Sequence, residues 1–248
     1  MRALQFILIT LTAFAGCTKK ADQPVKNIVI TKNPDTTVVV KTMHTDTINY
    51  LALGDSYTVG EAEPQAQSFP YQLTNSLRLD GYVNTQAPQI IATTGWTTLN
   101  LISGIINTPP LLHKYDFVTL LIGVNDQFQG DSQSGYRTNF VQLLNTAISY
   151  AGGDKTRVFV LSIPDYGVTP FAGGQDAVIG PEIDAFNAIN REESGNAGVN
   201  YLDITGISRE AAIDATLIAP DGLHPSGKMY TQWVLKLLPM VEARLAQK

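Results

Sequence analysis

Short apolar runs alternate with amphipathic stretches along the chain after residue 46. Apolar runs between turn-forming residues are typical of buried strands, and apolar residues spaced three and four apart indicate helices. The predicted strands are Ile48 to Leu53, Gln89 to Thr93, Phe117 to Ile122, Arg157 to Ile163 and Val199 to Asp203. The predicted helices are Pro70 to Asp80, Thr98 to Ile106, Tyr136 to Tyr150, Pro181 to Glu193 and Ser226 to Ala246. This alternation predicts a three-layer α/β domain over residues 47–248, with a parallel sheet covered by helices on both faces.

The first sixteen residues have a different pattern, with a basic start at Arg2 and an apolar run from Ala3 to Ala15. This pattern is typical of a secretory signal peptide, which is removed from the mature protein. The run ends in Phe14-Ala15-Gly16-Cys17, which resembles a bacterial lipobox. The resemblance implies that Cys17 is lipidated and anchors the protein in the cell envelope. Cys17 is the only cysteine, so a disulfide within the chain is excluded.

Residues 17–46 are rich in Thr, Val, Lys and Asp and lack helical periodicity. We predict a flexible tether that carries the domain away from the membrane. The β-prone segment Val38-Val39-Val40 leaves a second interpretation open, in which this region adds an edge strand.

Composition limits the classes of function. A chain of 248 residues with 44% hydrophobic residues is long enough for one sizeable core. Its net charge of −5 gives no indication of a nucleic-acid partner. Three scattered histidines and one cysteine give no metal-ligand spacing, and Gly54 to Gly60 lacks the lysine of a phosphate-binding loop. We therefore expect no metal and no cofactor; the oligomeric state is left open.

Candidate chemistry lies where the predicted strands end, because ligands of open α/β sheets bind outside the carboxyl ends of the strands. Ser56 follows the first strand, Gly95 the second and Asn125 the third. A serine needs a base to take its proton, and the base needs a third group to fix its tautomer. Asp221 and His224, three residues apart before the last helix, meet that need.

The third member of such a triad has competitors in this sequence, since Asp165 and Asp203 also follow strands. The three-residue spacing between Asp221 and His224 favours Asp221 over these two acids. The oxyanion of the reaction needs hydrogen-bond donors, and the backbone N–H groups of Ser56 and Gly95 and the amide of Asn125 are the natural set. Several aromatic residues of the same loops are candidates for lining a substrate pocket: Tyr57, Trp96, Phe128, Tyr166 and Phe171.

These blocks resemble the SGNH (GDSL-type) hydrolases, which are named for a Ser, a Gly, an Asn and a His in four separated blocks. Ser56 lies in Gly54-Asp55-Ser56, Gly95 stands for the second block, Asn125 lies in Gly123-Val124-Asn125-Asp126, and Asp221 with His224 forms the last. The resemblance spans about Tyr50 to Trp233. It implies a flavodoxin-like sheet of order 2-1-3-4-5 and hydrolysis of esters or thioesters without a cofactor.

The function predicted first is hydrolysis of short-chain acyl esters, plausibly acetyl groups on carbohydrates, outside the cytoplasm. Carbohydrate as substrate follows from the family and the location alone. A lysophospholipase or acyl thioesterase is the second interpretation and requires a longer apolar channel. A non-catalytic glycan-binding module is the third, although such a module has no need for an intact Ser, Asn, Asp and His.

Overall fold

The computed structural model describes residues 27–31 and 39–247. The signal peptide predicted for residues 1–16 and the lipidation predicted at Cys17 lie outside the described residues. The strands are β1 Asn27–Thr31, β2 Val39–Met43, β3 Tyr50–Gly54, β4 Gln89–Ala92, β5 Phe117–Leu121, β6 Val158–Leu161 and β7 Asn200–Leu202. The helices are α1 Ser56–Val59, α2 Phe69–Leu79, α3 Thr98–Asn107, α4 Val124–Phe128, α5 Gln133–Tyr150, α6 Asp176–Ala197, α7 Thr205–Arg209 and α8 Gly227–Leu245.

Five of the strands form one parallel sheet in the order β4-β3-β5-β6-β7. Numbered by themselves, these strands have the order 2-1-3-4-5, as predicted. Every residue of β3, β5 and β6 is buried, because central strands of a parallel sheet are covered on both faces. All five predicted strands and the five long predicted helices are present, with ends that differ by a few residues.

The direction in which each strand-to-strand connection crosses the sheet determines the face on which its helix lies. The β3-to-β4 connection runs one way across the sheet, and the three later strand connections run the other way. Right-handed crossovers therefore place α2 on one face and α3, α5 and α6 on the other. The packing agrees, since α2 contacts α8 and α5 contacts both α3 and α6. The result is the expected three-layer α/β arrangement.

Residues 27–31 and 39–43 differ from the irregular tether that the sequence predicted for residues 17–46. β1 and β2 pair with each other as an antiparallel hairpin, separate from the five-stranded sheet. Both strands are rich in Val, Ile and Thr, which favour extended backbone. Extra strands are therefore present, but they do not extend the edge of the main sheet as the second interpretation required.

Contact with the five-stranded domain begins at His44, slightly before the predicted boundary at residue 47. A bridge pairs His44 with Tyr82, a second pairs Ile48 with Thr85, and the ring of His44 stacks on Tyr82 at 4.1 Å. Within the part of the chain that is described, no helix has both the length and the apolar character required to cross a bilayer.

Helix α6 shows the largest difference from its predicted start. The sequence favoured a start at Pro181, since proline suits the first turn of a helix, but α6 begins at Asp176 and Pro181 lies inside it. An acidic side chain in the first turn complements the positive end of the helix dipole, and Asp176 supplies it.

Candidate active site

Ser56 lies in a tight turn between β3 and the one-turn helix α1. The side chain of Asp55 caps this helix by accepting a hydrogen bond of 3.0 Å from the N–H of Tyr57. Gly54 has no room for a side chain, because a Cβ there would lie 2.4 Å from the carbonyl oxygen of Leu121. The turn thus holds Ser56 at the carboxyl edge of the sheet, with only 4% of its surface exposed.

Asp221 and His224 form a locally closed pair. Asp221 Oδ1 accepts hydrogen bonds of 3.0 Å from the N–H groups of Leu223 and His224, and Oδ2 lies 2.6 Å from His224 Nδ1. Gly222 makes the turn possible, since its φ of 76° lies in the left-handed region. Partial burial favours a higher pKa for Asp221, but the hydrogen bonds from His224 and the backbone outweigh it and lower the pKa. The group facing Nδ1 is therefore an ionised acceptor.

The two competing acids are engaged elsewhere. Asp165 is buried and pairs with Arg209 at 2.9 Å, and it also accepts the N–H of Gly167 at 2.8 Å. Asp203 pairs with Arg191 at 2.6 Å near the other end of α6. Of the three acids, only Asp221 contacts His224.

Asn125 is hydrogen-bonded to the loop after β4, which contains Gly95 and Trp96. The Nδ2 atom of Asn125 donates a hydrogen bond of 2.9 Å to the carbonyl oxygen of Trp96. The carboxylate of Asp126 accepts from both the N–H and the hydroxyl of Thr98, which ties the same two loops together. One N–H of the Asn125 amide remains for a ligand.

Gly95 itself is exposed and has a φ of 85°, so glycine suits the backbone conformation. A Cβ at this position would meet no heavy atom within 4 Å, so the space on this side is open for an approaching group. Gly95 does not belong to the pocket wall around Ser56.

A pocket of about 90 Å³ brings Ser56, Asn125 and His224 together. Among the described residues, no hydrogen-bond partner lies within the usual donor–acceptor distance of the Ser56 hydroxyl. Hydrogen bonds between catalytic residues often shorten only when substrate is bound. The remaining walls are apolar or aromatic: Tyr57, Val124, Phe128, Tyr166, Phe171 and Leu223.

Four of the five aromatic candidates line this pocket, and the fifth does not. Trp96 packs beneath its loop against Gly104, where a Cβ would come within 2.2 Å of the indole ring. Val124 and Leu223 were not anticipated, although each directly precedes a catalytic candidate in the sequence. Their position next to catalytic candidates is the sequence feature that could have identified them as pocket-lining residues.

A larger groove of about 440 Å³ lies away from Ser56 and includes Arg191, Asp203 and Arg209. Its acids and arginines neutralise one another in ion pairs, and neither a serine nor a histidine is among its lining residues. In the part of the chain that the structure covers, no three His, Cys, Asp or Glu side chains are grouped so as to hold a metal ion.

Asn125→Ala is expected to lower kcat by roughly 10² to 10³, with a smaller change in KM, if its amide stabilises charge that develops in the transition state. Steady-state kinetics on a soluble acetate ester measure this. The exposed amide of Asn145 on α5 provides the control variant, Asn145→Ala. A change confined to KM would instead make Asn125 a substrate-binding residue.

Asp55 is fully buried, and its Oδ2 has no hydrogen-bond partner. Burial first, together with the nearby charge of Asp126, raises the pKa of Asp55 to about 8, against the lowering effect of the Tyr57 hydrogen bond. The folded protein therefore keeps a proton that the unfolded chain releases near pH 4. Because the folded state binds more protons, this group costs stability as pH rises from about 4 to about 8.

Asp55→Asn keeps the helix cap and removes this titration. The melting temperature of Asp55→Asn minus that of the parent should increase from pH 5 to about pH 8. Over this range the parent loses a few kcal/mol of unfolding free energy to the Asp55 titration, and the variant does not. Thermal denaturation at several pH values measures it. Asp214, whose pKa is lowered to about 2 by Lys228, is the control, because Asp214→Asn should give a difference that is flat over this range. A flat difference for Asp55→Asn as well would contradict the prediction.

Comparison with known proteins identifies the family and the fold of the chain. A family model described as GDSL-like Lipase/Acylhydrolase matches residues 52–232. No curated protein gave a match. A lipase/acylhydrolase from Enterococcus faecalis has a similar fold, with a TM-score of 0.63 and 18% identity over 80% of this chain and 97% of that one.

Two further solved structures have the same fold at low identity. Phospholipase A1 from Streptomyces albidoflavus has a TM-score of 0.57 and 19% identity, covering 80% of this chain and 100% of that one. An acetyl xylan esterase from Geobacillus stearothermophilus has a TM-score of 0.59 and 17% identity, covering 78% and 94%. Because the family model extends from β3, before Ser56, into α8, after His224, the chain belongs to the GDSL-like lipase/acylhydrolase family.

Proposed function

We propose that the protein hydrolyses carboxylic esters with short acyl groups, using Ser56 as nucleophile, His224 as base and Asp221 as the group that orients the base. The observation that carries the proposal is the 2.6 Å contact between Asp221 and His224 Nδ1, at a pocket that also contains Ser56 and Asn125. With Nδ1–H donating to Asp221, Nε2 is left as the acceptor for the Ser56 proton.

In the acylation step, Ser56 Oγ attacks the ester carbonyl carbon while His224 Nε2 takes the hydroxyl proton. Negative charge collects on the carbonyl oxygen, where the N–H groups of Ser56 and Gly95 and the Asn125 amide would stabilise it. His224 then gives the proton to the departing alcohol oxygen. Water repeats the sequence on the acyl-enzyme and releases the carboxylic acid.

The size of the pocket supports a short acyl group. About 90 Å³ is far below the roughly 300 to 1,000 Å³ of sites for larger ligands, so a long chain has no enclosed channel here. A lysophospholipase or long-chain thioesterase is therefore the weaker candidate, although a phospholipase A1 is among the similar structures.

A carbohydrate is the alcohol that the family resemblance favours, and a similar solved structure is an acetyl xylan esterase. We also propose that the protein acts outside the cytoplasm, tethered through Cys17; this rests on the sequence alone.

A panel of esters tests the proposal. Nitrophenyl esters from acetyl to palmitoyl, acetylated xylan and lysophospholipid are compared by kcat/KM. We expect the highest values for acetyl or butyryl esters and a steep fall beyond about six carbons, because the pocket is small. A preference for palmitoyl esters or lysophospholipid would favour the second candidate. Binding of xylan without hydrolysis of any ester would favour a non-catalytic module.

A further inference from the structure

Three aromatic side chains form one cluster beside Ser56, here called the aromatic wall: Phe128, Tyr166 and Phe171. Their ring centroids are 6.2 to 6.4 Å apart, so each ring contacts the other two. Phe128 and Phe171 are 59% and 54% exposed, whereas Tyr166 is buried beneath them. Adjacent exposed phenyl rings at the mouth of a small pocket are a surface that a ligand can cover.

The wall is fixed to its surroundings by hydrogen bonds. Phe171 donates its N–H to the carbonyl oxygen of Gly222 at 3.0 Å. Beside Phe128, the amide of Gln127 donates to Glu182 at 2.6 Å. Asp165 caps the turn that contains Tyr166 and is itself held by Arg209. Because its supports are buried or paired, the wall presents a preformed surface that needs little ordering when a ligand binds.

The side of the tetrahedral intermediate from which the alcohol departs determines which part of an ester contacts this surface. His224 must give a proton to the departing oxygen, so the alcohol portion leaves on the histidine side of the tetrahedral intermediate. Phe171 lies on that side, since it is hydrogen-bonded to Gly222, two residues before His224. Leu223 of the same loop also lines the pocket. We therefore assign the acyl group to the remaining part of the same small pocket, on the side of Ser56 and Asn125.

The polar groups of the pocket decide how the alcohol is recognised. Apart from Ser56, Asn125 and His224, the hydrogen-bonding side chains that the described residues contribute to its lining are Tyr57 and Tyr166, which are 3% and 6% exposed. The alcohol portion is therefore met mainly by flat apolar faces. Aromatic faces bind other rings well, either aryl rings or the C–H face of a sugar.

We propose that Phe171 and Phe128 are specificity-determining residues that bind the alcohol portion of the ester through the face of a ring, so that the enzyme prefers ring-bearing alcohols. This inference rests on the proposed ester hydrolysis and deepens it. The acyl specificity, in contrast, does not depend on the wall.

The test compares benzyl acetate with ethyl acetate, whose leaving alcohols are both primary, and adds an acetylated methyl xyloside. kcat/KM is the readout, because it reports on the steps through alcohol release. The parent should prefer at least one ring-bearing acetate over ethyl acetate. Phe171→Ala and Phe128→Ala should each reduce that preference by about 10-fold, the scale of a lost ring contact. Loss on benzyl acetate alone identifies an aryl ring, and loss on the xyloside alone identifies a sugar.

Two further variants distinguish a specific effect of the aromatic wall from a general effect of substitution on the structure. Phe171→Leu keeps an apolar contact without a flat face and should retain part of the preference. Leu111 is 85% exposed at the opposite end of the sheet, before β5, and Leu111→Ala should leave the preference intact.

An acyl series on ethyl alcohol, from acetate to hexanoate, completes the design. If the phenylalanine variants alter the acyl-length dependence and leave the alcohol preference unchanged, the wall binds the acyl side and the proposal is wrong. No hydrolysis of any ester by the parent would overturn the proposed function and the role of the wall together.

Discussion

Ser56→Ala is expected to reduce ester turnover by about 10⁴-fold or more, with little change in the melting temperature. The variant removes the atom that forms the acyl-enzyme, and donors for the oxyanion alone give only residual catalysis. Stability should change little, because the Ser56 hydroxyl makes no hydrogen bond within ordinary limits among the described residues and its removal leaves no partner unsatisfied. Initial rates on nitrophenyl acetate and a thermal melt of the same preparation measure both quantities.

A control variant and a labelling experiment show whether the effect is specific to Ser56. Ser103 lies on the exposed face of α3, so Ser103→Ala should match the parent in both measurements. A fluorophosphonate that reacts with activated serines should label Ser56 in the parent, as peptide mass spectrometry would detect. Parent-like turnover by Ser56→Ala, or labelling of another serine with Ser56 unmodified, would show that the nucleophile lies elsewhere.

Much of the sheet could be predicted from the sequence because its central strands are buried on both faces. In such strands nearly every residue must be apolar, so β3, β5 and β6 appear as apolar runs between turn residues, with Thr119 of β5 as an interruption. The long helices are equally visible, since each has one face that packs against the sheet or a neighbouring helix.

The short helices at the site were missed for a physical reason. α1 and α4 have four and five residues, too few for any apolar periodicity to develop. Their positions depend on local features such as the Asp55 cap and the φ of 127° at Gly123. The β-prone segment Val38-Val39-Val40 indicated an added strand, but the sequence pattern did not show that β2 pairs with β1 and not with the main sheet.

Candidate residues for the site could be proposed from the sequence, but the shape of the pocket could be predicted only in part. Ser56, Gly95 and Asn125 were proposed from the rule that the ends of parallel strands share one edge, and His224 from its three-residue spacing from Asp221. Whether a loop aromatic faces the pocket or packs beneath its own loop depends on tertiary contacts, as the different surroundings of Trp96 and Phe171 illustrate. Aromatic candidates could therefore be proposed from the sequence, but the structure was needed to distinguish those that line the pocket from Trp96, which does not.

Asp221→Asn is expected to lower kcat by on the order of 10³- to 10⁴-fold. The Asn side-chain oxygen can still accept the N–H groups of Leu223 and His224, so the loop should keep its conformation. Its NH₂ group would then face His224 Nδ1 and donate to it. That contact places the imidazole proton on Nε2, where it blocks removal of the Ser56 proton, and the imidazolium that forms later loses its charge partner. Turnover of nitrophenyl acetate measures the loss, and circular dichroism checks the fold.

The two acids that competed with Asp221 in the sequence provide the comparison. Asp203→Asn breaks a half-exposed ion pair with Arg191, worth about 1 kcal/mol at most, so both turnover and stability should stay near those of the parent. Asp165→Asn weakens a pair whose acid is buried, so its main effect should be a lower melting temperature, with a far smaller loss of turnover in the folded protein than Asp221→Asn gives. Near-normal turnover in Asp221→Asn would mean that His224 works without this acid. A loss of similar size in folded Asp165→Asn or Asp203→Asn would transfer the role to that residue, despite the 2.6 Å contact between Asp221 and His224.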